Sequence, residues 1–223
     1  MLCEWDARPI LARYGIGTSP LGTLAGSAEE AVAAAKKLGV PVALKVQSPD
    51  ILHKTETGAV ALGLGSPEEV NVAYARVLAS AKQHAPAARI IGVLVQPMAP
   101  TGREVILGVK RDATFGALLM VGLGGVHVEI LKDVALAPVP FDHGEARELL
   151  SRLKGVALLD AHRGEPPADV DALVELMVRL SEFAADHADA IAEIDLNPVL
   201  VHECGKGVSV VDALIVKGLP SPR

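Results

Sequence analysis

The sequence predicts an α+β fold with antiparallel strand pairing, and three observations predict it. Helix and strand patterns alternate, but the strands at 90–121 and 191–216 come as consecutive pairs, unlike a doubly wound parallel sheet. Helix starts are written explicitly: Ser27 with Glu30, Ser66 with Pro67 and Glu69, and Asp142 with Glu145. In each, an N-cap oxygen precedes an acidic residue by three positions. Half of the 223 residues are hydrophobic and only 3% are aromatic, so the core must be built from Ala, Val, Leu and Ile.

Taken in order, Glu4 to Tyr14 reads as a short helix closed by Gly15 and Gly17. Thr18 to Leu24 is extended and broken by proline, and a helix runs from Ser27 to Leu38, stopping at Gly39. Val40 to Val46 and Ala59 to Leu64 are strand-length apolar runs. After Ser66, Val70, Ala73, Tyr74, Val77, Leu78 and Ala81 fall on one helical face, and Pro86 ends that helix. Ile90 to Gln96 is a buried strand, and Pro97–Gly102 is a stiff connection where the lobe boundary belongs. Strands follow at Glu104–Lys110, Phe115–Val121 and Val134–Val139, with a turn at Arg111–Thr114. A helix follows Asp142, residues 155–167 are irregular, and a long amphipathic helix spans about Asp169 to His187. Ile191–Val201 and Gly207–Val216 close the chain as a hairpin. The expected organisation is a small lobe of about 20–97 and a large lobe of 1–19 plus 98–223.

Composition excludes several classes. The net charge of -6 gives no basic footprint for nucleic acid, and too few aromatics are present for a base-stacking platform. No apolar run approaches the ~18 residues that span a bilayer. Cys3 and Cys204 have no zinc spacing and suggest no disulfide framework, so a reducing, cytoplasmic setting is expected. Glu4, Asp6 and Arg8 interrupt any secretory leader pattern.

Lys45 is the single charge in the Val40–Val46 run. A lysine inside such a strand requires an anion. Asp50 or Glu56 could supply it structurally, and a bound phosphate could supply it functionally. The loop that follows concentrates Asp50, His53, Lys54, Thr55, Glu56 and Thr57. A loop histidine is ordinarily just exposed, but a phosphate held at Lys45 would make His53 a phosphoryl acceptor, since neutral imidazole is a good nucleophile near pH 7.

In the closing hairpin, Glu193, Asp195 and Asn197 share one strand face and Ile194 and Leu196 the other. A turn centred on Cys204–Gly205 pairs residues whose numbers sum to 409, setting Asn197 opposite Asp212 and Asp195 opposite Leu214. Two carboxylates and an amide oxygen then surround one small volume, a hard, oxygen-only set that suits Mg²⁺. A solvated polar face is the plain alternative, and a slip of one residue would spoil the pairing. Gly122–Gly125 either brings amides to a phosphate or turns the chain. Glu104 could accept hydrogen bonds from a ribose or be an ordinary strand residue. Glu129, Lys132 and Asp133 read as a solvated charge cluster. No Walker A or G-x-G-x-x-G pattern is present.

The combined pattern resembles the ATP-grasp β subunit of ADP-forming (NDP-forming) acyl-CoA synthetases such as acetate–CoA ligase. The carrying segments are Leu44–Thr55, Arg103–Val109 with Phe115–Gly116 and Gly122–Gly125, and Glu193–Pro198 with Val211–Ala213. Ala59 and Ala117 depart from the family's usual glycine and proline. The resemblance implies a two-lobed ATP-grasp fold holding ATP or ADP with Mg²⁺ between the lobes. It implies that Lys45 holds phosphates, that the backbone of Gln96, Pro97 and Met98 receives adenine, and that Glu104 meets the ribose. It further implies that Asn197 and Asp212 ligate Mg²⁺ with Asp195 close by, and that His53 is transiently phosphorylated. The CoA and acyl-phosphate chemistry would sit on an α subunit, within an α2β2 assembly in family terms, with no nucleic-acid or membrane partner. A stand-alone ATP-grasp carboxylate ligase and a non-catalytic or regulatory module related to protein acyltransferases are the competing readings.

Overall fold

A computed structural model of the chain describes residues 1–18, 21–51, 54, 57–125, 133–161 and 164–218. The described backbone divides into two compact units, 1–6 with 20–99 and 7–19 with 100–223. The first unit differs from the expected small lobe by taking in the first six residues. The reason is Glu4, whose side chain is buried against that unit's sheet.

The first unit is a four-stranded antiparallel sheet in the order β1 (Thr23–Ala25), β4 (Gly92–Pro97), β2 (Val42–Gln47), β3 (Val60–Leu64). Helices α2 (Ala28–Leu38) and α3 (Pro67–His84) pack against it. Their small apolar faces, chiefly Ala31, Ala35, Val70, Ala73 and Val77, meet Val42, Leu44, Val46, Val93 and Val95. Ser27 and Ser66 cap these helices as the spacing predicts, accepting the N–H of Glu30 and Glu69 at 3.2 Å each. Each glutamate side chain reaches back one residue further than a capping box requires, to Gly26 and Gly65. The full reciprocal box is at Asp142 and Glu145.

The second unit is built on a larger antiparallel sheet in the order β10 (Ala213–Lys217), β8 (Ile191–Val201), β5 (Arg103–Asp112), β6 (Gly116–Leu123), β7 (Val134–Pro138), with β9 (Val208–Val210) also beside β8. Helix α1 (Glu4–Leu11) begins in the first unit's residues and ends in this one's. Helices α4 (His143–Ser151) and α5 (Val170–Asp186) belong here, and α5 carries Leu173, Met177, Leu180 and Phe183 fully buried. One face of the sheet presents Val105, Leu107, Leu119, Val121, Ile194, Leu196 and Ile215 to the core. β5 and β6 pair antiparallel, as expected of the strands at 104–110 and 115–121, while β4 pairs with β1 and β2. The Pro97–Gly102 connection takes the chain out of one sheet and into another. Among the described residues no helix is long and apolar enough to cross a membrane.

Asp133 is a second correction. It is buried, and accepts the N–H groups of Lys154 at 3.0 Å and Gly155 at 2.8 Å, tying the end of α4 to the start of β7. Glu129 and Lys132, expected beside it, lie outside the described residues. Those two bonds favour the ionised carboxyl and hold it below its ordinary 3.8. A depressed value in the folded state means that the contribution to stability is full above 3.8 and is lost as pH falls through the folded value. Thermal unfolding followed from about pH 5 to about pH 2 should therefore show a shallower acid-side decline for Asp133→Asn than for the parent chain.

Candidate functional site

In the first unit the site grows from β2, all six residues of which are buried. Leu44 and Val46 face the helices, so Lys45 and Gln47 point to the opposite face. The first turn of α1 covers that face. Trp5 donates its N–H to Gln47 Oε1 at 3.0 Å, and Glu4 is 0% exposed. Lys45 Nζ donates to Glu4 Oε2 at 3.3 Å, and Lys54 Nζ lies 3.8 Å from the same oxygen. Gln96 Nε2 donates to Glu4 Oε1 at 3.0 Å. The anion beside Lys45 is thus Glu4, which the sequence reading missed. Asp50 does not fill that role in this arrangement: its carboxylate accepts the N–H of Arg89 at 2.8 Å. The signal for Glu4 was present in α1, where Glu4, Ala7 and Leu11 form one buried stripe that contains an acid. His53 and Glu56 lie outside the described residues.

Around the loop's described part, the Lys54 carbonyl accepts Thr57 Oγ1 at 3.0 Å and the Ala59 N–H at 2.9 Å. Ala59 is fully buried, and its carbonyl accepts the N–H of Val46. Gly58 does need to be glycine: its φ is +63°, and a Cβ there would lie 2.6 Å from Ser80 Oγ.

The segment expected to receive adenine is less open than its sequence suggests. The Gln96 side chain is committed to Glu4, Pro97 has no N–H, and the Met98 N–H is donated to the Pro41 carbonyl at 3.1 Å. As arranged, neither Pro97 nor Met98 supplies an amide donor; their carbonyls remain as acceptors.

In the second unit the register read from the sequence is the one observed. Asp195 opposes Leu214, Val199 opposes Val210, and the Asn197 N–H donates to the Asp212 carbonyl at 3.3 Å, so these three pairs sum to 409, and the register slips only beyond Val216, where Lys217 opposes Ile191. Glu193, Asp195 and Asn197 share the face opposite to buried Ile194 and Leu196. A second irregularity lies on the other side of β8. Val105 pairs with Val199 and Leu107 with Leu196, leaving Asn197 and Pro198 together opposite Ile106. This bulge moves the buried set from 194 and 196 to 199 and 201. Asp195 faces Gly108 across the β5–β8 pair. Asp195 and Asp212 are half-buried and Asn197 is exposed. Asp212 Oδ1 also accepts the Ala213 N–H at 2.9 Å, which fixes the carboxylate's orientation.

This donor set fits a hard divalent cation such as Mg²⁺: all-oxygen, partly accessible, and set by strand register. Among the described residues no group of three or more His, Cys, Asp or Glu is placed to hold a metal, so the candidate set depends on Asn197 beside the two carboxylates. Glu104 is exposed on the same face of the sheet, further along β5. Its carbonyl accepts the Gly124 N–H at 2.6 Å, and a Cβ on Gly124 would lie 2.5 Å from that of Glu104. Gly124 is thus needed for close packing on β5, and its amide is already used there, which favours the turning role for Gly122–Gly125.

Comparison with known proteins gives consistent results. The ATP-grasp domain family model matches residues 1–216. The β subunit of acetate–CoA ligase [ADP-forming] II from Pyrococcus furiosus is 42% identical over 218 residues, covering 97% of this chain and 92% of that one. Acetate–CoA ligase [ADP-forming] I from Archaeoglobus fulgidus is 43% identical over 213 residues, which are 96% of this chain and 30% of that longer one. The acetyl-coenzyme A synthetase 1 of Ca. Korarchaeum cryptofilum, in complex with coenzyme A and Ca-AMPCP, superposes with a TM-score of 0.89 at 39% identity, covering 97% of this chain and 92% of that chain. A second structure of that protein contains Mg-AMPPCP and a phosphohistidine segment pointing towards its nucleotide binding site (TM-score 0.78, 35% identity, 96% and 92% coverage).

Proposed function

The chain belongs to the ATP-grasp family, and from that membership we propose that it is the nucleotide-binding β subunit of an ADP-forming acyl-CoA synthetase. The overall reaction is acyl-CoA + ADP + phosphate to acid + CoA + ATP, in either direction. The observation that carries this reading is a match along nearly the whole of both chains to a free-standing β subunit.

Lys45 neutralises phosphate oxygens of ATP or ADP, Glu104 accepts from the ribose, and the Pro97 and Met98 carbonyls accept from adenine. Asn197 and Asp212 hold Mg²⁺, with Asp195 beside them. Bound Mg²⁺ supplies charge neutralisation on the phosphates; phosphoryl transfer depends chiefly on such neutralisation and on positioning. His53 is the nucleophile. An imidazole nitrogen attacks the γ-phosphorus, the N–P bond forms, the P–O bond to ADP breaks, and ADP leaves. The reverse step returns the phosphoryl group to ADP.

An α subunit carries the CoA and acyl-phosphate chemistry. The longer relatives, of which this domain is about a third, fit a fusion of such parts into one chain. An α2β2 assembly in the cytoplasm is the arrangement we propose. The test is reconstitution. With its α partner, Mg²⁺, acetyl-CoA, ADP and phosphate, the chain should form ATP and free CoA in equal amounts, and neither subunit alone should do so. ATP formation without CoA release, or turnover by this chain alone, would remove the reading.

A further inference from the structure

We propose that Glu4 is an internal counter-anion that occupies Lys45 when no nucleotide phosphate is there, and so loosens the grip of Lys45 on phosphate. The inference rests on the reading of Lys45 as the phosphate lysine. It grows from three features of the first unit.

First, the carboxylate of Glu4 is fully buried and both of its oxygens are engaged, Oε1 by Gln96 and Oε2 by Lys45 and Lys54. A buried carboxylate is tolerated only with such partners. Its partners come from two strands and the following loop, so its position is determined from several directions. Second, Lys45 is mid-strand in β2, paired on one side with Val60 and on the other with Leu94. The backbone anchors the side chain, and the ammonium has little room to leave Glu4. A phosphate oxygen arriving at Lys45 must therefore share the ammonium with a carboxylate 3.3 Å from it. Two anions then face one another in a setting where water screens poorly. Third, Glu4 enters from the start of α1, a separate stretch of chain from the sheet, so the carboxylate can be altered without touching the strand that carries the lysine.

In a reaction that runs both ways, nucleotide must leave as readily as it arrives. A lysine whose charge is already partly satisfied binds phosphate less tightly than a bare one. Glu4 in this sense is a positioning residue, acting on substrate only through Lys45.

The experiment is calorimetry of Mg-ATP binding to the full chain, to Glu4→Gln, to Lys45→Met and to the double variant. Glutamine keeps the length and the partner for Gln96 but removes the charge. Lys45→Met should weaken binding. Glu4→Gln should tighten it about tenfold, and in the Lys45→Met background that gain should shrink below about twofold, because the two residues act as one unit. A loosened fold would weaken binding, so tightening is not what a merely structural role produces. Unchanged or weaker binding by folded Glu4→Gln would overturn this proposal alone. Unchanged binding by Lys45→Met would overturn the reading of Lys45 and this proposal with it. If Glu4→Gln does not fold by itself, millimolar Mg-ATP should restore the fold by supplying the missing anion, and failure of that rescue would equally overturn the proposal.

Discussion

Replacing His53 with alanine should lower turnover of the assembled enzyme at least about 10³-fold while leaving the affinity for Mg-ATP within about threefold. The imidazole is the proposed nucleophile, so its loss removes a covalent step and not a binding contact. The phosphoryl group then has no acceptor on this chain. The measurement is twofold: steady-state formation of ATP from acetyl-CoA, ADP and phosphate, and labelling of the chain with γ-labelled ATP. The label on the parent chain should be acid-labile and base-stable, as a phosphoramidate is, and absent from His53→Ala. A carboxylate ligase that needs no phosphohistidine would keep its turnover in this variant, and that result would move the chain to the competing class.

Asp212→Ala should weaken Mg-dependent ATP binding by roughly 10- to 100-fold, the scale set by loss of groups that hold or orient a metal. Calorimetry with and without Mg²⁺ separates this from a general loss of affinity. The parent chain should bind ATP much more tightly with the metal, and the variant should show little difference between the two conditions. Asp212 Oδ1 also accepts the Ala213 N–H, so a modest drop in unfolding temperature is expected. Full Mg²⁺ dependence in the variant would show that the cation is held elsewhere.

Much of this was legible in the sequence where information is local. The cap serines, the charged residue inside an apolar strand and the alternation along β8 each depend on neighbours within a few residues. The register of the closing hairpin was legible too, because its turn is short and one face is buried, so a slip of one residue would expose Ile194 and Leu196. What was not legible depends on distant chain. Glu4 meets Lys45 across 41 positions, and Asp133 meets Gly155 across 22. Nothing near Asp133 shows that two amides from another element will meet it. The bulge at Asn197–Pro198 exists only relative to β5, and neither strand reveals it alone.

The interleaving of the two units along the chain has a consequence for synthesis on the ribosome. Every residue of the first unit, including Glu4 and both lysines, has been made once Ala99 is added, so that body can close early. Residues 7–19 are made before the first unit is complete yet belong to the other body, and Thr18 bridges to Val210, far later in the chain. A nascent chain therefore carries this short stretch without its strand partner for more than a hundred codons. Domains usually fold in the order in which they emerge; here one early segment must wait for a much later one.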